Sequence, residues 1–325
     1  MRASYPGLAT ARWCDWCGYT RQAFYQERER QDKRDMELTI VLQIVRERRR
    51  LVPRAGGRKL YDHVKGVLAG GSIKIGRDAL FDLLREHGLL VRPKRRRTRT
   101  TVSSAWMRRY QDLRVELVPG RSEQLWVADI TYLRIRGGFA YLSLIMDAYS
   151  RRVVGWCCHD SLAARGCHEA LDMALAARRY PDRELIHHTD RGVQYCSGAY
   201  TARLRQNGIR ISTTQNGSPY ENPQAESLNA ILKVELGLDA EFADLAAARA
   251  ACEKQIHIYN TVRKHGSIDY LTPEQAYDRS GMIPKRWKGR PPGAKQTSRE
   301  RTTGGGDKPY PDQTKTVNTV QDGIL

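Results

Sequence analysis

A chain of 325 residues with 55 Lys and Arg against 36 Asp and Glu carries a formal charge of +19, the footprint of a protein that binds phosphate-rich partners. No apolar run is long enough to span a bilayer and no apolar segment follows Met1-Arg2, which excludes a membrane span and predicts no secretory leader. Seven cysteines, an odd number with Cys157 and Cys158 adjacent, exclude a disulfide framework and predict a reducing, cytoplasmic setting.

Residues 8–30 read as a helix, a tight turn at Gly18-Tyr19 and a second helix capped by Thr20, which has helix-turn-helix dimensions. Cys14 and Cys17 form a lone CxxC, both fitting one apolar helix face, with no partner pair for zinc. A further helix over 36–50 is amphipathic through Leu38, Val41, Leu42 and Val45 and stops before Pro53. Tyr61, Val64 and Leu68 line another; Gly70-Gly71-Ser72 breaks it; Arg77–His87 follows with Leu80, Phe81 and Leu84 inward and Gly88 as its stop. The chain thus divides into 1–50, helix-turn-helix-like, and 51–100, a second such segment ending in the basic run Arg92–Arg99.

Charge is distributed unevenly. Residues 1–120 have a net charge of +14, residues 121–240 of +1 and residues 241–325 of +4. That division predicts a DNA-gripping amino-terminal third, with Lys94, Arg95, Arg96 and Arg97 on phosphates and Arg21, Gln22, Lys74 and Arg77 of the two helix-turn-helix segments toward bases. The alternatives are a solvated linker for the charge run and a packing domain for the helices.

From residue 124 the pattern changes to strands at Leu125–Leu133, Phe139–Asp147 and Arg151–Cys158, then helix 164–178, strand 185–188, helix 197–207, strand 209–213 and helices 223–236 and 244–259. Three hairpin-linked strands followed by alternating helix and strand predict an α/β domain, a mixed sheet flanked by helices, over 120–280. Residues 281–325 are rich in Gly, Pro, Lys and Thr, lack periodicity and are expected to stay disordered.

Within this domain Asp129 interrupts the apolar run Leu125–Leu133, Asp190 ends the run Leu185–Thr189, and Glu226 falls in the first turns of a helix opened by Asn222-Pro223. A carboxylate inside an apolar strand is costly unless it is paired or coordinates a metal. Taken singly, Asp129 is also readable as a strand-end carboxylate and Asp190 as a turn residue. Glu221 competes with Glu226 for the third position, but it precedes Asn222-Pro223 and reads as loop. Asp147 reads as a turn and packing residue, and His187 and His188 as groups that orient the loop at Asp190. Three converging oxygen donors select a hard cation, Mg²⁺ or Mn²⁺, and a pair of ions would activate a hydroxyl for in-line displacement at phosphorus. Lys233, seven residues beyond Glu226, would share its helix face and reach a DNA phosphate, or remain a solvated lysine.

The blocks LWVADITYL, YLSLIMDAYSRRVVGW, HHTDRGVQY and NGSPYENPQAESLNAILKVE, with Tyr259-Asn260, Arg263-Lys264-His265 and Leu271–Glu274 downstream, resemble the integrase-type core of bacterial insertion-sequence transposases of the DDE class, relatives of retroviral integrases. The resemblance spans 120–280 and implies a ribonuclease-H-like fold, with Asp129, Asp190 and Glu226 as the catalytic, metal-binding triad; the 35 residues between Asp190 and Glu226 match the family's pattern. It further implies metal-dependent strand cleavage and strand transfer on double-stranded DNA, at element ends and target, by a homo-oligomer bound to DNA in the bacterial nucleoid. The chain resembles the second (OrfB-like) product of a two-frame group, so an upstream-frame partner or fusion is expected. A nuclease of the same fold without strand transfer and a DNA-binding regulator with an inert core are the competing readings.

Overall fold

The computed structural model of the protein describes residues 10–91, 110–115, 117–215 and 222–284. The run Lys94–Arg97 and almost all of the carboxy-terminal tail therefore lie outside the described residues.

Helix α1 (Thr10–Cys17) ends at Gly18, whose φ of +70° turns the chain, and the Thr20 hydroxyl accepts the Ala23 amide at 3.1 Å to start α2. Cys14 is buried and Cys17 exposed, so the two do not share the apolar face expected of them. Helix α2 then runs without a break from Arg21 to Leu51, joining two helices that the hydrophobic pattern separates. Residues 30–36 contain neither Gly nor Pro, and pairs such as Gln31 to Asp35 at 2.9 Å carry the helix across a stretch that buries nothing. Only Val41, Leu42 and Val45 of α2 are buried. Helices α3 (Gly57–Val67) and α4 (Arg77–Glu86) follow, burying Leu60, Val64, Leu80, Leu83 and Leu84. Gly57 lies against the Phe81 ring so closely that a Cβ would stand 2.7 Å from it.

Strands β1 (Leu125–Ile135), β2 (Gly138–Asp147) and β3 (Val153–His159) form an antiparallel meander. Helix α5 (Ala164–Ala176), β4 (Ile186–Thr189), α6 (Gly198–Gln206) and β5 (Arg210–Thr213) follow, with β4 parallel to β1 and β5 parallel to β4. The sheet order is β3-β2-β1-β4-β5, and the two-residue β6 (Glu241–Phe242) pairs with the far end of β1. Helix α7 (Pro223–Ala230) continues into a π-helical turn, Ile231–Glu235; α8 (Leu245–Thr261) and the short α9 (Pro273–Tyr277) close the domain. This is the mixed, helix-flanked sheet of the ribonuclease-H-like fold.

β1 is buried on both faces over Leu125–Ala128 and alternates beyond, because helices cover both sides of its first half only. Asp147, fully buried, accepts the Ser150 amide and hydroxyl and the Glu123 amide, which fixes the β2–β3 turn as expected of a structural carboxylate. Edge strand β3 is blocked by α8: Asn260 exchanges two 2.9 Å hydrogen bonds with the Val153 backbone, and Arg249 donates to the Cys158 carbonyl at 2.7 Å. The helices α2–α4 share one apolar cluster with β1, β2, α7 and α8, so the amino-terminal region packs into the core instead of standing apart from it.

Candidate active site

The register of β1 against β4 pairs Leu125 with Ile186 and Val127 with His188. Extended by two residues, it sets Asp129 beside Asp190, one step past the end of β4. Adjacent strands stand about 4.8 Å apart, so the two carboxylates stand side by side at the carboxy-terminal end of β4, in the middle of the sheet. Asp190 turns there because its Oδ1 accepts the Gly192 amide at 3.0 Å, and a Cβ on Gly192 would stand 3.0 Å from that same oxygen.

Helix α7 is pinned over this end of β4 from two points. Asn222 donates Nδ2 to the Ala128 carbonyl at 3.1 Å, and Asn229 donates Nδ2 to Asp129 Oδ2 at 2.7 Å. The Ile130 amide holds the other oxygen, Oδ1, at 2.8 Å. Glu226 lies between the two asparagines in the first turn of α7 and is exposed. Asn222 and Asn229 were not singled out by the sequence; for Asn229 the signal was available, since i+3 from Glu226 on a helix is a neighbouring position on the same face.

Burial raises the Asp129 carboxyl to about 7; the charge on Asp190 adds to this, the Ile130 amide opposes it, Glu226 adds and Asn229 opposes. Burial also raises Asp190, against the bond from the Gly192 amide. A cluster of carboxylates whose ionisation is held back in this way is an acceptor for cationic charge. The buried amide oxygens of Asn222 and Asn229, whose Nδ2 groups bond to the Ala128 carbonyl and to Asp129, have no hydrogen-bond partner in the structure, which adds neutral oxygen donors beside Asp129. An oxygen-only set of this kind fits a hard divalent cation. Among the described residues no three acidic, His or Cys side chains stand at preformed ligand spacing.

The sign of the Asp129 shift sets a pH dependence. The folded protein holds this proton between 3.8 and about 7, so the stability it contributes is complete below the unfolded value and is lost as pH rises through about 7. Metal-free Asp129→Asn is therefore expected to melt above the parent at pH 8 by a few degrees, about 2–4 °C for each kcal/mol of repulsion removed, with the gap closing toward pH 4. Mg²⁺ at pH 8 should raise the melting point of the parent and not of Asp129→Asn. A gap independent of pH would contradict the assigned environment.

His187 and His188 are buried behind the site. His187 shares a 2.8 Å hydrogen bond with the Tyr200 hydroxyl and His188 one of 2.9 Å with the Ser212 hydroxyl, which ties β4 to α6 and β5. Burial brings the His187 imidazole down to about 3, so it is neutral. Lys233 lies on the π turn, not on an unbroken α-helix from Glu226; its Nζ sits 4.3 Å from the centre of the Tyr132 ring of β1. Burial lowers its pKa while Asp129 and Asp239 pull it back up, so Lys233 feels the field of the Asp129 carboxylate. Arg21, Gln22, Lys74 and Arg77 are all exposed, and Arg77 pairs with Asp78 at 2.9 Å.

Comparison with known proteins identifies the family. Two family profiles, each described as Integrase core domain, match residues 119–219 and 207–273. The transposase for insertion sequence element IS629 of Shigella sonnei is 32% identical over 204 residues, covering 63% of this chain and 68% of that protein. The chain belongs to the insertion-sequence transposases with an integrase core. Transposase InsF for insertion sequence IS3A of Escherichia coli K12 is 40% identical over 153 residues, 47% of this chain, and the chain spans about half, 53%, of InsF. The HTLV-2 integrase catalytic core domain, solved in complex with magnesium, aligns with 48% of this chain and 97% of its own at 20% identity and a TM-score of 0.38. In this transposase the profile matches run from just before β1 to the first residue of α9, so α1–α4 lie outside them. Among the described residues no helix is long and apolar enough to cross a membrane.

Proposed function

We propose that this chain cleaves and joins DNA at the ends of an insertion element, with Asp129, Asp190 and Glu226 holding one or two Mg²⁺ or Mn²⁺ ions. The observation that carries the reading is the placement of Asp129 and Asp190 in register on neighbouring parallel strands, with α7 pinned over them by Asn222 and Asn229. When bound, the cations supply Lewis-acid activation of the attacking hydroxyl and neutralise the leaving oxygen.

The protein's own contribution is positional. Asn229 and the Ile130 amide fix both oxygens of Asp129, so its ligand orientation is set before DNA arrives. Lys233, packed on the Tyr132 ring within the field of Asp129, neutralises a phosphate of the bound strand. Water attacks a phosphodiester at the element end, the bond from phosphorus to the element's O3′ breaks and leaves a 5′-phosphate on the flanking strand; the freed 3′-hydroxyl then attacks a second phosphodiester, forming a new P–O3′ bond as that phosphodiester's own 3′-oxygen leaves. The basic amino-terminal third and the run Lys94–Arg97 grip the duplex, with Arg21, Gln22, Lys74 and Arg77 as the base-facing candidates. A homo-oligomer holds two ends together, and an upstream-frame product supplies further DNA-binding segments.

The test is to incubate the chain with labelled element ends and target DNA in Mg²⁺, Ca²⁺ or EDTA. Nicked and joined products in Mg²⁺ alone are expected, because Ca²⁺ tolerates looser coordination than in-line displacement requires. Nicking without joining would identify a nuclease, and full activity in EDTA would remove the metal from the reaction.

A further inference from the structure

Outside the proposed site, a group of buried and half-buried charges lies where the amino-terminal helices meet the far end of the helix that carries Glu226. The α7 rod continues through the π turn to Glu235, whose carboxylate accepts Lys59 Nζ of α3 at 2.8 and 2.9 Å and Arg263 Nη2 at 2.7 Å. The Arg54 amide donates to the Glu235 carbonyl at 3.2 Å, so the main chain is held as well. Arg263, itself buried, is backed by His265 Nε2 at 2.7 Å. On either side, Lys264 meets Asp62 of α3 at 2.7 Å, and Arg48 of α2 donates to the Val262 carbonyl at 2.6 Å.

We infer that Glu235, clamped between Lys59 and Arg263, is a positioning residue through which the amino-terminal helical region sets the placement of α7 and hence of Glu226. The inference rests on the reading of Glu226 as a metal ligand. Three features lead to it. Buried ion pairs add little net stability, because desolvation offsets the attraction, so the cluster is better explained by the geometry it fixes. The rod is anchored at its other end by Asn222 and Asn229, so Glu235 is the second point that defines its direction. Between the two anchors lies the π turn, closed by wide bonds such as Leu236 N to Ile231 O, a geometry less rigid than a continuous α-helix and frequent at functional sites. With Glu235 neutral, half-buried Lys59 and buried Arg263 would face each other as like charges and move apart, and the rod would lose that point.

The cluster's electrostatics agree with this placement. Burial pushes the Glu235 carboxyl up, but Arg263 and Lys59 outweigh it and hold it below the ordinary range. Burial, then Arg263, lowers the Lys59 amine to about 8, against the pull of Glu235.

The experiment uses the full chain with Mg²⁺ and labelled element ends, comparing Lys59→Met, Lys59→Arg, Glu235→Gln and Glu226→Gln. Cleavage rate, KM for the DNA end, and amide exchange across residues 223–236 are measured for each. Lys59→Met and Glu235→Gln are expected to lower kcat about tenfold to a hundredfold, as a misplacement near 1 Å does, with KM unchanged and faster exchange confined to 223–236. Lys59→Arg should recover most of the rate. Parental kcat and exchange in both Lys59→Met and Glu235→Gln, beside an inactive Glu226→Gln, would overturn the inference and leave the site intact. Loss of rate with equally faster exchange throughout the chain would also overturn it, by showing a general structural role. An active Glu226→Gln would instead remove the reading on which the inference rests.

Discussion

Asp129→Asn, Asp190→Asn and Glu226→Gln are each expected to abolish strand cleavage while leaving affinity for element-end DNA within about twofold. A metal acting as Lewis acid supplies several kcal/mol of transition-state stabilisation, and at 1.36 kcal/mol per decade its loss lowers the rate by about 10³-fold or more. Affinity is spared because the core from 121 to 240 carries a net charge of only +1, whereas residues 1–120 carry +14. The three substitutions differ in what else they disturb. Asp129→Asn disturbs the bond from Asn229 Nδ2, and Asp190→Asn the turn to Gly192, whereas Glu226 is exposed and its change to Gln leaves the fold untouched. Glu226→Gln is therefore the cleanest of the three. Gel-shift binding and single-turnover cleavage on the same preparation separate the two effects, and near-parental cleavage by any one variant removes that residue from the site.

The second large effect is on salt dependence. If 6–10 phosphates are neutralised, affinity for duplex DNA should fall by about 10³–10⁵ between 50 and 200 mM salt. Changing Lys94, Arg95, Arg96 and Arg97 together to Ala should reduce the log–log slope by up to about 3.6, which removes about two decades of that fall, and should weaken all sequences alike. Arg21 with Gln22, or Lys74 with Arg77, should instead alter sequence preference with little change of slope. The measurement belongs on the full chain: α2–α4 share an apolar cluster with the sheet and bond to Glu235 and Val262, so a fragment ending at residue 120 would expose that surface. An unchanged slope in the quadruple variant would take these four residues out of the phosphate contacts.

Much of the core is legible in the sequence. β1, β2 and β3 fall within two residues of their expected bounds because their apolar, branched sequences and the Gly137 turn leave little choice. The unbroken α2 was not legible, since from Arg21 to Glu37 it buries almost nothing, so a hydrophobic period has no signal to give there; continuous helix-forming residues decide it. Nor was the π turn after α7. No residue in Ile231–Glu235 marks it locally, and it is bonded from outside by Lys59, Arg54 and Arg263, far away in sequence. For the same reason Lys233, inside the π turn, does not follow Glu226 by α-helical phase, although it lies within the field of Asp129. The triad was suggested by costly carboxylates in apolar settings and by family resemblance. What brings Asp129 next to Asp190 is strand register, a tertiary fact that no local pattern carries.

The central claim is that Asp129, Asp190 and Glu226 together bind the divalent cation. Equilibrium binding of Mn²⁺ by the full chain in complex with a pre-cleaved element end, followed by electron paramagnetic resonance at pH 8, tests it most directly. The account predicts binding by the parent and an affinity at least about tenfold weaker in each of the three single variants, since each loses an anionic ligand to a hard cation. The same Mn²⁺ affinity and stoichiometry in the parent and in all three variants would contradict it.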